Sequence, residues 1–234
     1  MRDFVIPAID LKEGKVVRLF KGDFEKVKVY SASPEDMAKL FEEVGFRRLH
    51  VVDLDGSLKG LPANLQSIRL IRRSFSGKVQ VGGGIRNLKS CQVLKEEGID
   101  YFVIGTLAVR KPNTFEEILS TFPERTILAV DSKGGKVAVG GWKEESIKSP
   151  QDLALEYDQK PIWGYLYTNI EKDGTLEGVD VEPYREFKRF VKKPVLASGG
   201  VASLEDIKRL MDVVEGVVVG KAIYEGRINL KELL

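Results

Sequence analysis

Short apolar runs alternate along the whole chain with longer segments in which apolar residues recur at helical spacing. Such alternation is typical of strand–helix units around a parallel sheet. Runs rich in β-branched and aromatic residues are predicted as strands at residues 4–9, 49–54, 79–81, 101–104, 126–130, 163–167, 195–197 and 216–219. Parallel strands in this number, with intervening helices, close best as a barrel. The pattern therefore predicts an α/β fold with a single (β/α)8 TIM-barrel domain over residues 1–234.

Helix start and stop signals follow the strands. Ser33 can cap a helix that begins at Pro34, and Gly45 can end that helix in the left-handed conformation. A second serine–proline pair, which begins at Ser149, gives the same start signal after the fifth strand. Residues 12–32 follow the first strand without a helical pattern, so this segment is a candidate active-site loop.

The second half of the chain repeats the first. The residues around Asp10 return in the same order around Asp131, and the helix start at Ser33 returns at Ser149. The glycine motifs return too, Gly83-Gly84-Ile85 as Gly199-Gly200-Val201 and Val103-Ile104-Gly105 as Val218-Val219-Gly220. Matches in register over several strand–helix units indicate two duplicated half-barrels. The implied twofold symmetry places Asp10 and Asp131 across the barrel mouth from each other, on the face where barrel enzymes keep their chemistry.

Glycine-rich turns follow the third, fourth, seventh and eighth strands. Many barrels bind phosphate after strands seven and eight through backbone N–H groups, which glycine lets approach the anion closely. The repeat therefore predicts two opposite phosphate sites and a small substrate with a phosphate at each end. The candidates are Gly83, Gly84, Gly105 and Thr106 for one site and Gly199, Gly200 and Gly220 for the other. If these glycines do more than form tight turns, a bulky residue at Gly84 or Gly200 should raise KM more than it changes the fold.

Carboxylates at the strand ends are candidates for proton transfer. Asp10 and Asp131 occupy equivalent places after strands one and five, and Asp173 follows strand six. An aspartate at such a place can also cap the next turn or helix. For Asp53 and Asp55, after strand two, that structural role is the favoured interpretation. For Asp10 and Asp131 the symmetry favours catalysis.

Three other side chains near the predicted mouth have two interpretations each. His50, the single histidine, is either a buried core residue or a ligand to the substrate. Trp142 ends a glycine-rich loop and could close over a planar ring or pack within the loop. Thr168, at the end of strand six, could offer its hydroxyl to the substrate or serve strand packing alone.

Composition narrows the class of function. The 37 Lys and Arg residues nearly balance 35 Asp and Glu, and a net charge of +2 gives no reason to expect a nucleic-acid or membrane partner. One cysteine and one histidine are a poor set of ligands, so we expect neither a metal nor a cofactor. Without a signal peptide or a long apolar run, the expectation is a cytoplasmic protein, and a monomer.

Motifs from end to end of the chain resemble those of the histidine-biosynthesis isomerase family that converts ProFAR into PRFAR. That reaction is an Amadori rearrangement, in which an aminoaldose becomes an aminoketose. The motifs are Pro7-Ala8-Ile9-Asp10-Leu11, His50-Val51-Val52-Asp53-Leu54-Asp55-Gly56, Gly82-Gly83-Gly84-Ile85-Arg86, Val130-Asp131, Gly141-Trp142, Glu171-Lys172-Asp173-Gly174-Thr175, Ser198-Gly199-Gly200 and Val219-Gly220-Lys221-Ala222. The resemblance implies a bisphosphate substrate, in agreement with the two phosphate sites predicted from the repeat.

The resemblance also implies roles for individual residues. Asp10 is expected to be the base and Asp131 the acid, with Thr168 hydrogen-bonding near the reacting ribose. Asp173 is a rival proton donor, because a loop carboxylate could swing over the ring when substrate binds. The residues predicted to bind substrate or phosphate then also include Arg18, His50, Arg86, Trp142 and Lys221.

Two related enzymes and one non-enzymatic class are the alternatives. The cyclase subunit of imidazole glycerol phosphate synthase shares both aspartates, but it has cysteine and lysine where this chain has Ala8 and Arg18. A bifunctional isomerase that also acts on phosphoribosylanthranilate usually has arginine where this chain has Gly140. In a barrel that only binds a phosphometabolite, the two aspartates would repel the bound phosphate.

Overall fold

The predicted strands form a closed parallel barrel in the computed structural model, which describes residues 1–20, 23–31 and 33–233. The barrel strands are β1 (Val5–Lys12), β2 (Arg48–Asp53), β3 (Lys78–Gly82), β4 (Tyr101–Ile104), β5 (Thr126–Lys133), β6 (Gly164–Asn169), β7 (Val195–Ser198) and β8 (Gly216–Val219). Each strand pairs in parallel with the next. The ring closes where Val5 of β1 pairs with Val217 of β8. The predicted (β/α)8 fold is confirmed.

Helices connect the strands and cover the barrel. They are α1 (Pro34–Val44), α2 (Leu54–Lys59), α3 (Leu65–Ser74), α4 (Leu88–Glu96), α5 (Thr106–Arg110), α6 (Pro112–Thr121), α7 (Pro150–Tyr157), α8 (Glu182–Phe190), α9 (Leu204–Met211) and α10 (Lys221–Tyr224), followed by a 3-10 turn at Leu230–Leu233. The predicted caps are confirmed: Ser33 caps α1 and Ser149 caps α7, while Gly45 ends α1 with a φ of 86°. Among the helices in the described ranges, none has the length and apolar character to cross a membrane.

Two apolar layers give the barrel its core. The larger layer lies between the strands and the helices, where side chains such as Phe41, Phe102 and Phe187 are fully buried. The smaller layer fills the barrel interior with Ile6, Ala8, Val103, Ile127, Leu166, Leu196 and Val218. Above this close-packed interior layer, at the carboxyl ends of the strands, lies an open cavity.

The segment predicted as a long loop contains an antiparallel hairpin. Its strands are Lys15–Phe20 and Asp23–Ser31, and the first of them pairs with β1. Val17 and Leu19 are buried and pack with Leu54, so alternating apolar residues hold the hairpin against the barrel. Of residues 12–32, positions 21, 22 and 32 lie outside the described residues. The prediction of a non-helical segment is confirmed, but the hairpin was missed.

Candidate active site

A cavity of about 250 Å³ opens at the carboxyl ends of the barrel strands. Asp10 from β1, His50 from β2, Asp131 from β5 and Thr168 from β6 line it, and Asp173 reaches it from the loop after β6. The structure therefore brings together at one mouth all the side chains that the sequence selected for catalysis.

Asp10 is paired with Arg18. In the hairpin register Asp10 pairs with Val17, the residue that precedes Arg18. Arg18 Nη1 lies 2.9 Å from Asp10 Oδ2. Burial raises the pKa of Asp10 to about 6, the Arg18 cation opposes the rise, and the Asp173 carboxylate adds to it. A carboxylate with this pKa can accept a proton near neutral pH.

Asp131 is held by two hydrogen-bond donors. Trp142 Nε1 donates to Asp131 Oδ2 at 2.8 Å. Thr168 lies opposite Asp131 in the parallel register of β5 and β6, and its side chain hydrogen-bonds to the carboxylate. Burial raises the pKa of Asp131 to about 6, both hydrogen bonds oppose the rise, and Asp173 adds to it.

The structure supports only in part each interpretation of Trp142, closure over a planar ring or packing within the loop. The indole lines the cavity, as closure over a ring requires, but its N–H is bonded to Asp131. Gly140, Gly141 and Trp142 all have positive φ angles, of 66°, 68° and 68°. A non-glycine residue in the left-handed region costs free energy, which the surrounding contacts must offset. The hydrogen bond to Asp131 is one such contact.

Asp173 links the two halves of the site electrostatically. Its charge raises the pKa of both Asp10 and Asp131, so the three carboxylates lie close enough to influence one another. Burial raises the pKa of Asp173 itself, while Arg18 and Lys221 oppose the rise. In the part of the chain that the structure describes, no group of three or more His, Cys, Asp or Glu side chains has the arrangement of a metal site.

The partly buried charge of Asp131 carries a cost in stability, which Asp131→Asn should remove. A folded protein is destabilised by an ionised acid whose pKa is higher in the folded than in the unfolded state. For Asp131 this loss of stability develops as the pH rises from the unfolded-state pKa, near 4, through the folded-state pKa of about 6. The asparagine oxygen can still accept the Trp142 hydrogen bond. We expect Asp131→Asn to raise the free energy of unfolding by about 2 kcal/mol at pH 7 and to change it little at pH 4. Urea unfolding at both pH values measures this, and equal stability at pH 7 would contradict it.

His50 is buried and also lines the cavity, so both of its interpretations hold in part. Its Nδ1 lies 2.9 Å from Nε2 of Gln80, a residue that the sequence reasoning missed. The available signal was the single polar residue between Val79 and Val81. Burial and, to a smaller extent, the Arg18 cation lower the pKa of His50 to about 3. The imidazole is therefore neutral near pH 7.

The glycine turns form two groups on opposite sides of the mouth. Gly83, Gly84, Arg86, Gly105 and Thr106 line the main cavity beside β3 and β4. Gly199, Gly200, Gly220 and Lys221 line a smaller adjoining pocket beside β7 and β8, together with Arg18 and Asp173. The second pocket thus has two cations and one carboxylate beside its glycines, and this excess of positive charge suits an anion.

The structure overturns the expectation for bulky residues at Gly84 and Gly200. Both glycines have positive φ angles, 75° and 84°. A Cβ at Gly84 would overlap the carbonyl oxygen of Gly56, and one at Gly200 would lie 2.7 Å from Cβ of Lys172. Such substitutions would disturb the backbone of the loops, so they change the fold as well as any KM.

Asp53 has the structural role that was predicted for it. Its carboxylate accepts hydrogen bonds from the backbone N–H groups of Gly56, Ala63 and Asn64, at 2.8, 2.6 and 3.0 Å. Asp55 likewise accepts from Glu13 N–H at 2.6 Å. These bonds hold the loop after β2 against the start of the hairpin.

Comparison with known proteins gives a consistent result. The sequence profile of a family described as histidine biosynthesis protein matches residues 4–229. A protein of Aquifex aeolicus (strain VF5) is 64% identical over 233 residues, which cover 100% of this chain and 98% of that protein. A protein of Sulfurihydrogenibium sp. (strain YO3AOP1) is 48% identical over 237 residues, 100% of this chain and 99% of that protein. Both are named 1-(5-phosphoribosyl)-5-((5-phosphoribosylamino)methylideneamino) imidazole-4-carboxamide isomerase.

Proposed function

Since the chain belongs to the histidine biosynthesis protein family, we propose that it isomerises the aminoaldose ProFAR to the aminoketose PRFAR with Asp10 as base and Asp131 as acid. The observation that carries the proposal is the position of the buried Asp10 and the partly buried Asp131, in one cavity between two groups of glycine-rich turns. A substrate with a phosphate at each end would span the mouth and lie over both carboxylates.

The first step opens the ribose ring. Asp131, in its protonated form, gives its proton to the ring oxygen as the bond between that oxygen and C1 breaks. The lone pair of the amino nitrogen forms the new C1–N double bond, which gives a protonated Schiff base. Thr168, bonded to Asp131, holds the carboxyl group in place. General acid catalysis of this kind contributes about 100-fold or more to a rate.

The second step moves a proton between carbons. Asp10, in its ionised form, takes the proton from C2. The electrons of the C–H bond form the C1–C2 double bond of an enolamine, while the electrons of the C1–N double bond return to the nitrogen and neutralise its charge. The enolamine then gains a proton at C1 and loses the one on its C2 oxygen, which leaves a ketone. Atoms and electrons balance without a redox partner, so the two carboxylates suffice.

One experiment tests the function as a whole. Purified protein is offered ProFAR, PRFAR with ammonium salts, and phosphoribosylanthranilate in parallel. We expect consumption of ProFAR. Turnover of PRFAR with ammonia would identify a cyclase, turnover of phosphoribosylanthranilate a bifunctional enzyme, and no turnover of any of them a binding protein.

We also propose an oligomeric state and a cellular location for the enzyme. That the enzyme works as a monomer stays a prediction. Membership in a biosynthetic family supports a cytoplasmic location. Neither a nucleic acid nor a membrane is part of the proposed reaction.

Removing one cation beside each phosphate pocket tests whether the substrate binds through two phosphates. We expect Lys221→Met to raise KM for ProFAR about tenfold, because a charged hydrogen bond to phosphate is lost, and Arg86→Met, whose side chain is more exposed, to raise it less. Both should leave kcat nearly unchanged. Lys208→Met, at an exposed site on α9, is the matched control. An unchanged KM in both pocket variants would refute the paired sites.

The pH profile should report the ionisation of Asp10. We expect kcat/KM to fall as the pH drops below about 6, because a protonated Asp10 cannot accept the C2 proton. Arg18→Gln removes the cation that holds the pKa of Asp10 down, so the acidic limb should move to higher pH. Steady-state rates between pH 5 and 9 measure both curves, and a limb that stays in place in Arg18→Gln would contradict the assignment.

A further inference from the structure

We propose that Gln80 is a positioning residue that fixes His50 as a neutral imidazole with its hydrogen on Nε2, so that His50 offers an N–H donor to a sugar oxygen of the substrate. The identity of the substrate rests on the function proposed above. The state of the imidazole is independent of it.

The backbone register brings the two side chains together. His50 on β2 and Gln80 on β3 are directly paired, and the Gln80 amide nitrogen lies 2.9 Å from His50 Nδ1. Gln80 has 0% of its surface exposed and His50 has 7%. An amide nitrogen donates and does not accept, so Nδ1 must be the acceptor and the hydrogen of the neutral ring lies on Nε2.

The burial of Gln80 favours this orientation of its amide. Gln80 Oε1 is buried without a hydrogen-bond partner. If the amide were reversed, Oε1 would accept a hydrogen bond from Nδ1–H of His50. The NH2 group would then lie at the buried position where Oε1 now has no hydrogen-bond partner. An unpaired buried N–H is rarer and more costly in proteins than an unpaired carbonyl oxygen. The amide nitrogen therefore faces His50.

The imidazole stays neutral under working conditions. Burial, the larger cause, and the nearby Arg18 cation together lower the pKa of His50 to about 3. A neutral N–H donor stabilises a developing carbonyl or enol oxygen without giving up its proton, as neutral catalytic histidines do in other isomerases. The role that follows for His50 is hydrogen bonding, and proton transfer stays with the carboxylates.

The position of His50 determines which substrate oxygen can accept its hydrogen bond. Ala8 of β1 pairs with His50, and Asp10 lies two residues further along β1, on the same face of the strand. Both side chains line the cavity. The substrate carbon that gives its proton to Asp10 therefore lies beside His50, and the oxygen on that carbon, which becomes the ketone, is within its reach.

The tautomer can be observed directly because the chain has a single histidine. Protein labelled with 15N-histidine gives two ring-nitrogen signals in long-range 1H–15N spectra. We expect the shift of a protonated nitrogen for Nε2 and that of an unprotonated nitrogen for Nδ1, constant from about pH 5.5 to 8.5. A protonated Nδ1, or a titration within this range, would overturn the proposal.

Two substitutions then test whether Gln80 sets the tautomer. Gln80→Met keeps the length of the side chain without a donor, so the tautomers should mix and kcat should fall about tenfold with KM within about twofold. Gln80→Glu offers an acceptor, which should move the hydrogen to Nδ1. Gln92→Met, exposed on α4, is the control.

The outcomes separate the two proposals. A folded Gln80→Met protein with the wild-type tautomer and kcat would overturn the role of Gln80. If Gln80→Glu fails to fold, Gln80→Met and the wild-type spectrum still decide the question. A protein with the expected tautomer that does not consume ProFAR would refute the proposed function and leave the role of Gln80 in place.

Discussion

Asp10→Asn is expected to lower kcat for ProFAR by about three orders of magnitude, because an amide cannot take the C2 proton. The asparagine keeps the size of the side chain, and its oxygen can still accept from Arg18. The pockets that would hold the phosphates are unchanged. Substrate affinity should therefore stay within about tenfold of the wild-type value. Steady-state kinetics give kcat, and calorimetric titration of the inactive variant gives the affinity.

A control separates the loss of the base from a general loss of charge. Asp212 is an exposed aspartate at the end of α9, and it lines neither the main cavity nor the smaller pocket. Asp212→Asn should keep normal kcat and KM. An Asp10→Asn enzyme with near-normal turnover would remove Asp10 from the mechanism.

The second large effect on kcat is expected from loss of the general acid. A comparison of Asp131→Asn with Asp173→Asn shows which of the two residues is that acid. If Asp131 is the donor, its asparagine variant should lose about 100-fold or more in kcat, because an amide cannot protonate the ring oxygen. Asp173→Asn should then keep most of the turnover. It removes a charge that raises the pKa of Asp10 and Asp131, so its pH profile should shift towards lower pH.

Thr168→Val provides an independent check of this assignment. The substitution keeps the shape of the side chain and removes a hydrogen bond that lowers the pKa of Asp131. The basic limb of the kcat profile, which reports the acid, should therefore move to higher pH. Normal turnover of Asp131→Asn together with a deep loss in Asp173→Asn would assign the acid to Asp173.

The sequence predicted the barrel well because the signals that define it are local. Each strand is a short apolar run, and the caps at Ser33 and Ser149 depend on residues within one turn. The opposite placement of Asp10 and Asp131 followed from the repeat, since two copies of one half must be related by symmetry. These inferences needed no knowledge of which side chains touch.

Contacts that depend on register or on loop conformation were beyond the sequence. The bond between Gln80 and His50 exists because β2 and β3 pair without a shift, which a run of apolar residues does not specify. The bond between Trp142 and Asp131 requires three successive residues with positive φ. The crowding at Gly84 comes from the carbonyl of Gly56, which lies in α2 after a different strand. Each depends on the assembled fold.

Arg18 belongs to the first half of the chain, but its guanidinium lies directly over Gly220, in the second. A side chain at position 220 would take the space of the cation that is paired with Asp10. Hybrid barrels that join the first half of this protein to the second half of a relative must therefore inherit residues 18 and 220 as a matched pair. A chimera with a larger residue at position 220 should still form the barrel, but its Arg18 should no longer pair with Asp10.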